Sequence, residues 1–141
     1  MRYLGIDFGE RRIGLALSDP GGDWALPLTT LTRSSDRQAI QRISEIAIEE
    51  GIESLVVGEP RNLDGTRGAA AERAASFARK LQDQTGLPCH LVDESLTTVE
   101  AQERLRQAGV DPQRHRERVD AVAAQILLQQ FLDSLAGQGD E

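Results

Sequence analysis

The chain has 141 residues, of which 39% are hydrophobic and 28% charged, and a formal net charge of −7. That length and balance fit one globular domain with a real core, and no run approaches the roughly 18 apolar residues of a membrane span. Cys89 is the single cysteine, which excludes an internal disulfide, and no Cys/His metal spacing exists.

The acidic balance argues mildly against a nucleic-acid partner, because phosphate binding rests on basic surfaces. Total charge is not distribution, however. Arg11-Arg12 and Arg114-His115-Arg116-Glu117-Arg118 are local basic clusters, and arginine suits bidentate phosphate contacts. Such clusters serve equally as solvated surface. Met1 leads straight into a strand pattern without a signal-peptide pattern, so the expectation is a cytoplasmic protein without a membrane partner.

The first strand, Arg2 to Gly9, alternates Leu4, Ile6 and Phe8 with Gly5, Asp7 and Gly9. Alternate residues face opposite sides of a strand. One face is bulky, and the other carries a carboxylate between two bare positions. An Asp so placed either satisfies a strand-end turn or binds a cation or phosphate. A tight connection leads to a second strand over Ile13–Ser18, which implies an antiparallel hairpin. Ala25–Leu31 reads as a third strand, and Pro27 within it marks a sheet edge. Trp24, between loop and strand, either stacks on a base or packs at the edge.

Ser35 and Gln38 form a capping box for a helix with Ala39, Ile43, Ile46 and Ala47 on its apolar stripe, and Gly51 stops it. Ser54–Gly58 is a short apolar run, as in a strand buried on both faces. Glu59 to Gly65 reads as a loop. A second helix is predicted over Thr66–Gln84, with Ala70, Ala74, Phe77, Ala78 and Leu81 inward. Cys89–Glu94 is a fifth strand, with Cys89 packing. Thr97 and Glu100 form the capping box of a third helix, Gly109 to Pro112 break it, and a last helix runs over Arg118–Leu135. Residues 1–136 are thus expected as one domain and 137–141 as a short polar tail.

Three antiparallel strands followed by two βα crossovers make strands one, four and five parallel. The expected architecture is α/β, a five-stranded mixed sheet of order 3-2-1-4-5 with helices on both faces. Ligands in such sheets sit at carboxyl ends of strands where the winding direction changes, and Asp7 lies there. Asp93-Glu94 closes strand five. Asp120 shares a helical stripe with Ala123, Ala124, Leu127 and Phe131, so it sits on the face that docks on the sheet; either it binds something there or it favours a helix start. Three carboxylates converging on one sheet end suit Mg2+ or Mn2+, which prefer oxygen ligands. Such sites serve phosphodiester hydrolysis.

Gly5-Ile6-Asp7-Phe8-Gly9-x-x-Arg12-Ile13-Gly14-x-Ala16-x-Ser18-Asp19 resembles the opening motif of the YqgF/RuvX family. Val56-Val57-Gly58-x-Pro60-x-Asn62-x-Asp64-Gly65 resembles its second motif, Asp93-Glu94-x-x-Thr97-Thr98-x-x-Ala101 its third, and Val119-Asp120-x-x-Ala123-Ala124-x-x-Leu127-Leu128-Gln129 its fourth. The resemblance spans nearly the whole chain. It implies an RNase H-like fold and a nuclease, the family being described both as Holliday junction resolvases and as pre-16S rRNA nucleases. By resemblance, Asp7, Glu94 and Asp120 are the catalytic, metal-binding acids, and Arg12 and Thr97 support substrate nearby. Arg11, beside Arg12, joins them as a candidate substrate contact. Two positions depart from the family pattern. Ser95 stands where an arginine is usual, and Glu59 intervenes where the second motif usually reads Gly-Leu-Pro. Glu59 ranks below Glu94 as a ligand, because the residue before Pro60 can simply point to solvent.

Two substrates follow for one chemistry: precursor 16S rRNA, met alone or in ribosomal precursor particles, and branched DNA. A resolvase needs two active sites and hence a homodimer, whereas an rRNA nuclease can be a monomer. The other readings are a catalytically silent nucleic-acid-binding module and an ATP-binding domain resembling actin-like and sugar-kinase folds. The latter need two such domains to clamp ATP, and this chain supplies one.

Overall fold

The structure, a computed structural model, describes residues 1–60, 64, 66–94 and 97–139; among these the side chains of Glu94, Gln138 and Gly139 are not described. In chain order the elements are β1 Tyr3–Phe8, β2 Arg12–Ser18, β3 Ala25–Thr32, α1 Asp36–Glu49, β4 Ser54–Pro60, α2 Ala69–Thr85, β5 Cys89–Glu94, α3 Thr97–Gln107 and α4 Arg116–Gly139. The sheet order is β3-β2-β1-β4-β5. β2 is antiparallel to β1 and β3, and β4 is parallel to β1 and β5, as the connection lengths predict.

Alternation along β1 sorts the two layers. Leu4, Ile6 and Phe8 join Ile13, Leu15, Leu55 and Val57 in a core closed by Ile43 of α1 and Phe77 and Leu81 of α2. Phe77, Leu81 and Ile43 are fully buried, each contributing about 1.5–3 kcal/mol through area removed from water. On the opposite face Ala16 and Val56 pack against Ala124, Leu128 and Leu132 of α4. α3 in turn packs on the outer side of α4 through Ala101 and Leu105.

β3 is the edge strand that Pro27 foretells. Its register with β2 shifts between Leu15 and Ala16, where Leu15 pairs Thr29 and Ala16 pairs Pro27, so Leu28 is an extra residue that bends the edge. Trp24 is 69% exposed, so the expected edge packing is not made. Asp19 closes the β2–β3 turn by accepting N–H bonds from Asp23 at 2.8 Å and Trp24 at 2.9 Å. These donors, Trp24 first, hold its carboxyl below the usual range. Cys89 packs against the α1/α2 core, and burial pushes its thiol up to about 11.

Several local expectations shift. Ser35 Oγ accepts from Gln38 N–H, but the Gln38 side chain pairs with the Ser34 hydroxyl instead of closing the box. α2 starts at Ala69 with Gly68 as its cap, three residues later than predicted. Its inward alanines are Ala71, Ala74, Ala75 and Ala78, while Ala70 is exposed. Thr97 is already helical and so does not cap α3. α4 begins at Arg116 and continues through Gly139, past the stop expected near Leu135, because an isolated helical glycine costs only about 1 kcal/mol.

The largest correction concerns Glu59. It lies within β4, not in a loop, and is 5% exposed instead of pointing to solvent. Strand alternation puts it on the α1/α2 face with Leu55 and Val57. There its carboxylate takes a hydrogen bond from Nε of Arg67, whose guanidinium also reaches Glu72 at 3.0 Å. The Glu59 contact raises the Arg67 pKa.

Candidate active site

Asp7 is the penultimate residue of central strand β1, and its cross-strand partner on β2 is Gly14. Gly14 has no side chain to hold α4 off. A Cβ built there would lie 2.0 Å from the backbone oxygen of Asp120, far inside van der Waals contact. Gly5 is similarly covered, since its Cβ would lie 2.8 Å from Cβ of Leu128. Two bare positions on neighbouring strands thus seat α4 directly on the sheet. That seating delivers Asp120 to the position beside Asp7.

The short β1–β2 connection supplies Arg12. A Cβ on Gly9 would lie 2.5 Å from the Arg12 carbonyl oxygen, so only glycine permits so tight a reversal. Arg12 then donates from Nε to Oδ2 of Asp120 at 2.5 Å, a charge-assisted bond across most of the chain. The turn is clamped from outside. Arg33 lies over the Phe8 ring at 5.3 Å and donates to the Glu10 carbonyl at 2.8 Å, and Arg73 of α2 pairs with the Glu10 carboxylate at 2.7 Å.

These elements surround an open cavity of about 400 Å3, lined by Asp7, Gly9, Arg12, Pro60, Thr97, Thr98 and Asp120 among others. The structure therefore brings Asp7, Arg12, Thr97 and Asp120 together. Thr97 is only 1% exposed, and the more accessible hydroxyl on this rim is that of its neighbour Thr98. Arg11 is exposed and not part of this lining; its carbonyl accepts the N–H of Arg33 at 2.8 Å. Glu94 pairs in register with Pro60, which puts its position on the α4 face of the sheet, as Asp7 is. The Glu94 side chain and Ser95 lie outside the described residues, as do Asn62 and Gly65 of the second motif. Glu59 occupies the opposite face and is not brought to this cavity.

Asp7 and Asp120 are hard oxygen donors on the rim of one open space, the donor chemistry that Mg2+ and Mn2+ prefer. Among the described residues, no three His, Cys, Asp or Glu side chains cluster tightly enough to hold an ion. The residues fit a hard cation in kind, with two carboxylates facing the cavity and a third acidic position, Glu94, on the same face. Other motif residues are structural. Ser18 Oγ accepts the N–H of Tyr3 at 2.8 Å, and Gln129 joins α4 to the start of β3 by accepting from Ala25 N–H at 2.9 Å.

Thr98, Gln102 and Arg106 carry no acidic signal in the sequence, although their four-residue spacing puts them on one face of α3. Arg67, the partner of Glu59, carries no such signal.

A family model described as "RuvX: Holliday junction resolvase" matches residues 1–134. A protein of Moorella thermoacetica named "Putative pre-16S rRNA nuclease" is 45% identical over 139 residues, covering 99% of each chain. One of Syntrophus aciditrophicus with the same name is 43% identical, covering 96% of this chain and 91% of its own. Among solved structures, T. thermophilus RuvC in complex with a Holliday junction substrate superposes with a TM-score of 0.63 at 17% identity, covering 97% of this chain and 96% of its own. The fowlpox virus resolvase bound to Holliday junction DNA gives 0.61 at 8% identity, covering 96% and 99%. Likeness at such low identity establishes the RNase H-like fold.

Proposed function

This chain belongs to the RuvX family, and on that premise we propose that it is a metal-dependent nuclease whose substrate is precursor 16S rRNA, cut in maturation of the 5′ end. The observation that carries the reading is the meeting of Asp7 and Asp120, from opposite ends of the chain, on one open cavity at the carboxyl end of the central strand. Two carboxylates on one rim favour a bound cation between them, and Arg12 meets only one oxygen of Asp120.

Asp7, Asp120 and Glu94 would hold Mg2+ or Mn2+. When bound, the ion supplies charge stabilisation at the phosphoryl oxygens and a nucleophile at neutral pH. The chain does the rest by positioning. Arg12 fixes one oxygen of Asp120 and leaves Oδ1 as the remaining acceptor. Gly9 lines the cavity with backbone alone, so a phosphodiester approaching Asp7 would meet no side chain there. Arg12 also brings a guanidinium to the cavity, placed to meet a non-bridging phosphate oxygen. The protein acts on the free transcript or on ribosomal precursor particles, as a monomer or homodimer.

A second reading is supported by the family's description and by the resolvase neighbours: the same chemistry on four-way DNA junctions, with two chains paired. Purified protein with Mn2+ should be offered pre-16S leader fragments and four-way junctions in parallel, beside Asp7→Asn. Cleavage of the leader by wild type, reduced at least about 100-fold in the variant, is the expected result. Cleavage of junctions alone shifts the substrate to DNA, and equal cleavage by both proteins overturns the catalytic assignment.

A further inference from the structure

Beside the acidic cavity, and sharing Arg12, Thr98 and Asp120 with it, lies a second trough of about 490 Å3 between α3, the α3–α4 connection and the first turns of α4. Its walls follow from helical spacing. Thr98, Gln102 and Arg106 lie four residues apart on α3, and Arg116 and Asp120 lie four apart on α4, so each set shares one helix face. Gln113 of the connection also lines it.

The charge on these walls changes along the trough. At the shared end Arg12 and Asp120 neutralise each other at 2.5 Å. At the other end stand Arg106 and Arg116. Among the described residues, Arg106 has only a loose, exposed ion pair with Glu103 at 3.7 Å, and Arg116 makes none. Two nearby cations with little local compensation are a conspicuous arrangement on a chain of net charge −7. The Arg114–Arg118 run is accordingly divided. Arg114 faces solvent with Asp111, Arg118 lines a separate hollow beside β3, and only Arg116 enters the trough.

Resting on the nuclease reading above, we infer that this trough is a channel for the substrate strand, in which Arg106 and Arg116 hold backbone phosphates beyond the one at Asp7 and Asp120. The dimensions suit it. From Thr98 to Arg106 the helix rises ~12 Å, room for about three nucleotides at roughly 3.4 Å of rise each. The lining suits it too. Guanidinium groups take phosphate oxygens bidentately, and Gln102 and Gln113 offer amide donors and acceptors to sugar or base without reading sequence by charge. Functionally, the cations offset the repulsion that the acidic cavity exerts on an approaching polyanion.

The test measures binding without divalent ions, so it does not depend on cleavage. A fluorescein-labelled single-stranded RNA of about 20 nucleotides, and a DNA of the same sequence, are titrated by fluorescence anisotropy in EDTA between about 50 and 200 mM KCl. Arg106→Gln with Arg116→Gln should weaken binding roughly tenfold at the lowest salt and flatten the slope of log K against log salt by ~1.4, the loss of two contacts at about 0.7 each. Arg37→Gln with Arg79→Gln, an equal charge change at exposed helix positions elsewhere, should leave the slope as it is. Both pairs are exposed, and melting curves confirm folding. A wild-type slope in the trough variant, an equal loss in the control, or no binding by the wild type to either strand overturns the inference. If the channel fails while Asp7-dependent cleavage stands, the nuclease reading survives; if cleavage fails while the slope changes, the channel survives.

Discussion

Two arginine–carboxylate pairs sit at the carboxyl ends of the strands, Glu59 with Arg67 on the α1/α2 face and Asp120 with Arg12 on the α4 face. Their chemistry is the same, but their surroundings differ. The Glu59 side chain is 7% exposed and is tied through Arg67 to Glu72 in the first turn of α2, so it joins two elements. The Asp120 side chain is 20% exposed and lines an open cavity with Asp7. A buried carboxylate tied in this way is committed to the fold, although Arg67 itself is 43% exposed. A carboxylate on a cavity rim keeps an oxygen for a ligand. Ion pairing alone therefore does not single out a candidate site, whereas pairing beside an opening and a second acid does.

The contrast can be broken most severely at Gly14. Gly14→Ala would drive a methyl into the Asp120 backbone oxygen, and overpacking against rigid backbone costs about 3 kcal/mol. Chemical denaturation should show that loss together with lost activity, because α4 must lift off the sheet. Next, Asp120→Asn should lower Mn2+-dependent cleavage by about 100-fold or more with a stability change under about 1 kcal/mol, since relief of repulsion from Asp7 offsets loss of the part-exposed ion pair with Arg12. Glu59→Gln should do the reverse. It keeps a hydrogen-bonding side chain but removes the charge facing Arg67, costing about 1–3 kcal/mol of stability with the cleavage rate per folded molecule little changed. If Glu59→Gln abolishes cleavage in a fully folded protein, the two pairs do not divide the labour as described.

The smallest effect lies at Asp36, the first residue of α1. Burial works to raise its pKa, but hydrogen bonds and charge from Arg33 and Lys80 outweigh it, and the carboxyl is held below its ordinary value. A group depressed in the folded state stabilises above its unfolded pKa of about 3.9. That contribution is lost as pH falls through the folded value. Asp36→Asn should flatten the acid limb of a stability–pH curve and cost under about 1 kcal/mol at neutral pH, leaving both site pairs untouched.

Much of this was readable before the structure. Strand order followed from connection lengths and from Pro27 marking an edge. Asp120 could be placed against the sheet because it falls on the same helical stripe as Ala124. Glu59 could not be assigned, because a strand buried on both faces has no apolar/polar alternation to tell which side a residue takes. The phase of α2 slipped by one at Ala70 and Ala71 because an alanine-rich run carries almost no contrast between faces. Arg12 stood out only as half of a basic pair and through family resemblance; its bond to Asp120 depends on the Gly9 turn and the Gly14 seat together, a three-dimensional coincidence that spacing does not encode. Likewise the trough needs two helices, and neither α3 nor α4 alone shows it.

The seat of α4 on Gly14 also sets a timetable. A ribosome makes Asp7 within the first moments of synthesis and Asp120 near the end, and folding during synthesis proceeds from the N-terminal side. Until α4 has emerged and settled, the carboxyl end of β1 holds a single carboxylate, and Arg12 has no Asp120 to grip. Nascent chains, and any chain truncated before residue 120, carry an unfinished site beside the very class of RNA proposed as the substrate.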